Sequence, residues 1–322
     1  MRAHPHNDTL MTMNKLTTSH GQPLYPIREV SRLTGVNPVT LRAWERRYGL
    51  ITPQRTPKGH RLYAESEIQR IQTVLQWLNR GVPVSQVREL LEQRSEPLHT
   101  SPEIAPPNNV QSEWAGLQER AFQAVTRLDE QVLDALFNEV LSVYPPTTAD
   151  EHLWQPLLSA LRQRWQDHMG AEIERQLFTT VLHTRISARL YQRRQHQSHH
   201  QPRLLMVPLG SPQGPAYWLQ LLRIADIPMR LHWLDDAVNL SHLPLLAERL
   251  KPMGLVLVGE THLDAEQQRQ LLKLTQHLPC GLALSGSSAV IHQTELGHVP
   301  ISCWPELDMS LIEHWLKVAD DT

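Results

Sequence analysis

The sequence predicts a multidomain chain of α and α/β class. It has a small α-rich head, an all-helical middle and a tail that alternates short strands with helices. Three observations carry this. Apolar residues in the head and middle recur three or four apart, whereas those of the tail fall in short continuous runs, the strand signature. Two polar stretches, 95–112 with four prolines and QRRQHQSHHQP at 192–202, lack any apolar period and separate the parts. The chain has 322 residues, more than one ordinary core holds, so two or three domains are expected.

Residues 1–23 contain no apolar run and are expected to be a disordered tail rather than a signal peptide. In the head, residues 24–94, Ile27, Val30 and Leu33 mark a first helix that Gly35 stops. Asn37-Pro38 then supplies a capping residue followed by proline at the first helical position. A short second helix carries Val39, Leu41, Ala43 and Trp44, with Val39 and Leu41 assigned to the core. Helix, glycine-containing turn and short helix make the helix-turn-helix pattern. Pro53, Pro57 and Gly59 exclude a helix over 51–63, which reads as a loop or short hairpin, a wing. Ile68, Ile71, Leu75 and Leu78 resume helical spacing, and another helix follows from Pro83 to Leu91.

Residues 113–196 read as four helices with short joins, a small bundle. The breaks fall near Asp129, at Pro145-Pro146 and at Gly170. In residues 203–322 the runs RLLMVPL, MRLHWL, GLVLVGE, GLALSG and VPISCW are expected strands. Helical stretches near 213–226, 241–250, 264–277 and 308–318 accompany them. That alternation implies a doubly wound parallel sheet covered on both faces.

The formal net charge of −2 conceals an uneven distribution. Residues 24–94 hold twelve basic and six acidic side chains, a local +6 that leaves −8 elsewhere. The stretch VTLRAWERRYGLITPQRTPKGHRLY at 39–63 concentrates this charge among Trp44, Tyr48 and Tyr63, with Glu45 the one opposing group. A short helix can enter a major groove about 12 Å wide, and arginine forks suit phosphate and guanine edges. A basic, aromatic, loop-shaped surface beside a helix-turn-helix therefore points to duplex DNA more than to a merely solvated face. Two cysteines, Cys280 and Cys303, make no disulfide framework, and no apolar run approaches the roughly 20 residues that span a bilayer. A cytoplasmic location is expected.

Residues 24–92 resemble the MerR family of bacterial transcription regulators. The resemblance rests on Ile27, Glu29, Val30, Thr34-Gly35-Val36, Thr40-Leu41-Arg42, Trp44-Glu45, Arg47, Gly49-Leu50, Pro53, Arg55, Gly59 and Arg61-Leu62-Tyr63. The variant TLRAWERRYGL…PQRT..GHRLY is most similar to the subgroup holding the MlrA-type curli regulator and the CarH/LitR light sensors. The resemblance implies a winged helix-turn-helix that binds promoter double-stranded DNA as a homodimer or higher homo-oligomer, with RNA polymerase or a signalling protein as a further partner. It implies DNA contacts from Thr40, Arg42, Trp44 and Arg47 on the second helix and from Arg55, Lys58, His60, Arg61 and Tyr63 on the wing. Trp44 has a second reading, as a core residue.

Bundle plus doubly wound domain resembles the cobalamin-binding photosensors of that subgroup. They cap cobalamin with a Trp-x9-Glu-His motif and ligate its cobalt with a histidine after the first strand. This chain departs at both places: Trp165 is followed ten residues on by Arg175 and Gln176, and Gln213 stands where the axial histidine belongs. No histidine occurs between His200 and His232. A degenerate, cobalamin-binding-like domain without cofactor is expected, hence a DNA-binding transcription regulator that works without cobalamin. Three readings of this half stay open: a cofactor-free regulator, a sensor of another small molecule near Gly210, Ser211, Glu260 and Ser285, and cobalamin held without histidine. An enzyme acting through the α/β domain is the alternative of another class, and Glu260 and His262 would be its test residues. The expectation is no enzyme and no metal, since His196, His199 and His200 lie in a polar stretch without cysteine or carboxylate beside them.

Overall fold

The structure, a computed structural model, describes residues 16–17, 23–93, 110–195, 197, 201–210 and 214–320. The head opens with β1 (Leu16–Thr17), antiparallel to β2 (Pro23–Pro26). β1 departs from the expected tail at two residues, Leu16 and Thr17, which pair with Leu24 and Pro23 along the edge of β2; residues 1–15 and 18–22 of that tail lie outside the described residues. α1 (Ile27–Thr34) ends where Gly35 turns left-handed at φ 72°, a conformation that costs a residue with a Cβ. The Asn37 side chain then accepts from Val39 N at 2.9 Å and starts α2 (Pro38–Ala43). α2 runs on as a wider π-turn over Trp44–Tyr48. β3 (Gln54–Arg55) and β4 (Arg61–Ala64) are the hairpin of the wing, and the sheet order is β1-β2-β4-β3. α3 (Glu65–Asn79) and α4 (Val84–Gln93) complete the head.

The middle is α5 (Val110–Thr126), α6 (Glu130–Leu141), a third helical segment and α9 (Ala171–Gln195). α5 begins inside the stretch expected as a linker to 112, and α9 enters the stretch expected as a linker from 192; polar composition alone does not stop a helix. The third segment joins α7 (Pro146–Ala149), a π-turn (Asp150–Trp154) and α8 (Gln155–Trp165) without a break. Its π-turn has an identifiable cause. Pro156 has no N–H for the carbonyl of His152, four residues back, and a regular turn would clash there. The freed carbonyl accepts instead from Gln118 Nε2 at 2.8 Å.

The tail is a five-stranded, all-parallel sheet of order β6-β5-β7-β8-β9. Its strands are β5 (Arg203–Leu209), β6 (Arg230–Trp233), β7 (Gly254–Gly259), β8 (Gly281–Ser285) and β9 (Ile301–Trp304). The helices are α10 (Pro215–Arg223), α11 (Leu243–Leu250), α12 (Ala265–His277), α13 (Ser287–Ile291), α14 (Gln293–Leu296) and α15 (Met309–Asp320). The short helices α13 and α14 escaped the sequence reading because neither is long enough to show a period. One continuous core runs from the head through the bundle onto α10 and the near face of the sheet; a second core fills the far face.

Candidate nucleic-acid interface and the cleft above the sheet

In the short second helix, burial sorts the residues differently from sequence expectation. Val39 was assigned to the core but is 55% exposed, while Thr40 is buried at 2% and Trp44 is wholly buried. Trp44 Nε1 donates to the carbonyl of Val143, in the bundle, at 2.8 Å. Of its two readings the core one holds, because a buried indole N–H finds an acceptor and a DNA-facing one would leave both groups unpaired. Thr40 and Trp44 are therefore withdrawn from the DNA-facing set. Tyr63 is withdrawn too: it lies inward on β4, fully buried, and burial, with Glu45 nearby, pushes its hydroxyl up to about 12.

Glu45 joins helix to wing. Its Oε1 accepts from Arg55 Nη2 at 2.7 Å, and its Oε2 accepts from Arg61 Nε. Burial raises the carboxyl, but the hydrogen bonds from Arg61 and Arg55 outweigh it and hold the group below the usual carboxylate range. Arg61 is mostly buried at this contact and Arg55 is about half-exposed. Both act first to seat the wing, a role the sequence reading missed although the lone acid among arginines was the signal. Arg42, Arg47, Lys58 and His60 are exposed, and no ion pair engages Arg42, Arg47 or Lys58 among the described residues. With Val39 and Arg46 they are exposed groups of α2, its π-turn and the wing.

A second feature lies where the strand order reverses, between β5 and β7, the usual ligand crevice of such sheets. A cavity of 490 Å³ opens there beneath α8 and α9. Leu209, Gly210, Val258 and Glu260 floor it, and Arg162, Trp165 and Arg175 roof it. Two of the four degenerate positions thus meet at one site. Trp165 Nε1 donates to Glu174 Oε2 at 3.0 Å, and Arg162 Nη2 reaches Glu260 Oε2 at 2.9 Å across the mouth. Gln176 is exposed outside the cavity lining, and Gln213, Ser211, His196, His199 and His200 lie outside the described residues. Ser285 is buried below the crevice. Among the described residues no group of three or more histidine, cysteine or acidic side chains could hold a metal, and the two cysteines are unpaired. His262 stacks edge-on against His292, whose ring accepts from Leu263 N, so this histidine pair is spent on structure.

The head carries a MerR-type helix-turn-helix: the family model described as "MerR HTH family regulatory protein" matches residues 25–94. The chain is similar to the HTH-type transcriptional regulator MlrA of Escherichia coli (strain K12), 38% identical over 139 residues. That match covers 43% of this chain and 52% of MlrA, so it spans about half the length of that relative. It is also similar to the HTH-type transcriptional repressor CarH of Myxococcus xanthus, 28% identical over 284 residues, covering 84% of this chain and 91% of CarH. Among solved structures, a cobalamin-binding protein from Desulfitobacterium hafniense DCB-2 aligns over 63% of this chain and 97% of its own, at 12% identity and a TM-score of 0.29.

Proposed function

We propose that this chain regulates transcription by binding promoter DNA as a homodimer through the open face of α2 and the wing, in the cytoplasm and without cobalamin. The observation that carries the reading is the pairing pattern. Glu45 engages Arg55 and Arg61, whereas Arg42, Arg47 and Lys58 have no ion pair among the described residues, and Val39 beside them on α2 is exposed. Phosphates then supply the missing anions, and one or two base contacts give the sequence choice. A dimer places two such helices on a palindromic site. The described helices include none long and apolar enough to cross a membrane.

The test is selection of bound genomic fragments followed by titration at several salt concentrations. Wild type is expected to enrich a palindrome, and Arg42→Ala to weaken binding by ~1–3 kcal/mol and flatten the salt slope by about one ion. No enriched palindrome, or an unchanged slope, counts against the reading.

The cavity under Trp165 favours a second reading, gating by a small molecule, because Arg175 lines it with no ion-pair partner among the described residues. Cobalamin does not fit the donor set: among the described residues no imidazole or thioether lines the cavity, and the Arg162–Glu260 pair spans its mouth. Mixing the protein with cobalamin and desalting tests this; visible absorbance travelling with the protein would overturn it. No catalytic role is assigned to Glu260 or His262, since the first is bound by Arg162 and the second packs on His292.

A further inference from the structure

The open face of α2 does not end at the head. It forms one wall of a groove of 940 Å³ whose other wall is the C-terminal part of α9. On the head side stand Arg28, Val39 and Arg42. On the bundle side Arg189, Gln192 and Arg193 follow at i, i+3 and i+4, so they share one helix face. Five arginines line the groove, counting Arg32, against the carboxylates of Asp226 and Glu313. Glu29 holds Arg32, and Asp226 serves Arg189 and Arg193 together at 3.1 and 2.8 Å. One carboxylate for two guanidinium groups leaves the α9 wall positive, and Arg28 and Arg42 have no ion pair among the described residues.

We infer that one sugar–phosphate strand of the duplex bound by α2 lies in this groove, so that α9 contributes phosphate contacts from outside the DNA-binding module. Three points select that occupant. The groove is continuous with the face that meets DNA, through Val39 and Arg42. Its volume is at the upper end of small-molecule pockets, too small for a duplex but suited to a stretch of single backbone. Its excess charge is of the sign that condensed phosphate requires. The inference rests on α2 being the reading helix and adds a second contributor to the same interface.

Gln192 is the residue to vary, because it is exposed and makes no side-chain hydrogen bond among the described residues. The full chain is titrated with a mixed-sequence duplex of roughly 30 base pairs, about three helical turns, between 50 and 200 mM salt. Unfolding midpoints check that each variant is folded. Gln192→Lys is expected to tighten binding and steepen the salt slope by about one ion per protomer. Gln192→Glu is expected to weaken binding several-fold, on the order of one lost phosphate contact, and to flatten the slope. Slopes unchanged in both variants overturn the inference. If affinity alone moves, the groove acts only by closing over α2, and the inference also fails. Arg42→Ala runs alongside: an unchanged slope there sinks the α2 reading, while the Gln192 slopes still judge the groove.

Discussion

The bundle is held on its two sides by different chemistry. Toward the head the buried joints are neutral hydrogen bonds between aromatic side chains and backbone. Trp44 Nε1 donates to Val143 O at 2.8 Å, Trp114 Nε1 to Gly81 O at 2.8 Å, and Val84 N to Tyr144 Oη at 3.3 Å. Toward the sheet the joint is ionic. Arg223 of α10, nearly buried, binds fully buried Asp150 at 2.9 Å, lies 3.4 Å from Glu151 and 3.3 Å from Glu306, and donates through Nε to Leu307 O. Burial pushes Asp150 up to about 6 against the pull of Arg223. Burial works against Arg223 as well, but its acceptors outweigh it and it stays charged. A neutral joint depends on shape and is indifferent to salt; an ionic one depends on every partner remaining. The buried joints of the head are thus the contacts least disturbed when the ionic surroundings change.

The contrast can be broken at single residues. Trp44→Ala is expected to cost ~3–5 kcal/mol of stability, through the cavity and the abandoned Val143 carbonyl. Trp44→Phe keeps most of the packing and should cost ~1–3 kcal/mol. Denaturant unfolding reads both, and a Trp44→Phe variant as stable as wild type would show that the hydrogen bond contributes nothing. Arg223→Ala should cost a similar ~3–5 kcal/mol because it strands a buried carboxylate. That penalty should shrink at pH 5, where Asp150 takes up a proton, whereas the Trp44→Ala loss should not change with pH. A pH-independent Arg223→Ala loss would remove the ionic account.

Gly81→Ala is expected to cost on the order of 1–2 kcal/mol. Gly81 sits at φ 84°, and a Cβ there would meet the His152 ring at 2.9 Å, so the head–bundle joint is pried at its tightest point. An unfolding midpoint equal to wild type would contradict this. The smallest effect expected is a titration in the sheet domain. His232, on β6, is lowered to about 4, first by burial and then by Arg194, Arg230 and Arg203. A histidine lowered on folding stabilises fully above its ordinary value near 6.5 and loses that contribution as pH falls toward 4. Asp150 has the opposite sign: its contribution is complete below 3.8 and lost as pH rises through about 6. Unfolding of His232→Gln between pH 4 and 7 should therefore lack the gain with rising pH that the wild-type histidine supplies, and identical profiles would count against it.

The elements were legible where their causes are local. Asn37-Pro38 started α2, Gly35 stopped α1, and Pro53, Pro57 and Gly59 kept a helix out of the wing. A charge cluster was legible, and Arg42, Arg47, Lys58 and His60 in it are exposed. Its facing was not legible. A six-residue helix holds fewer than two turns, too few for periodicity to fix which side is inward, so Val39 and Thr40 were exchanged.

By itself the sequence determined a MerR-type head, an all-helical middle and a parallel sheet, because caps, breakers and apolar periods act over neighbouring residues. It also determined that no histidine stands between His200 and His232 to serve after the first strand. Only the tertiary structure decided that Trp44 faces the bundle, that Glu45 gathers the wing, and that α9 lies across from Arg28 and Arg42. Each of these depends on partners brought together by the fold: Trp44 lies ninety-nine residues from Val143, and Arg223 seventy-three from Asp150. Which side chains pair over such distances is set by packing, for which local spacing carries no signal.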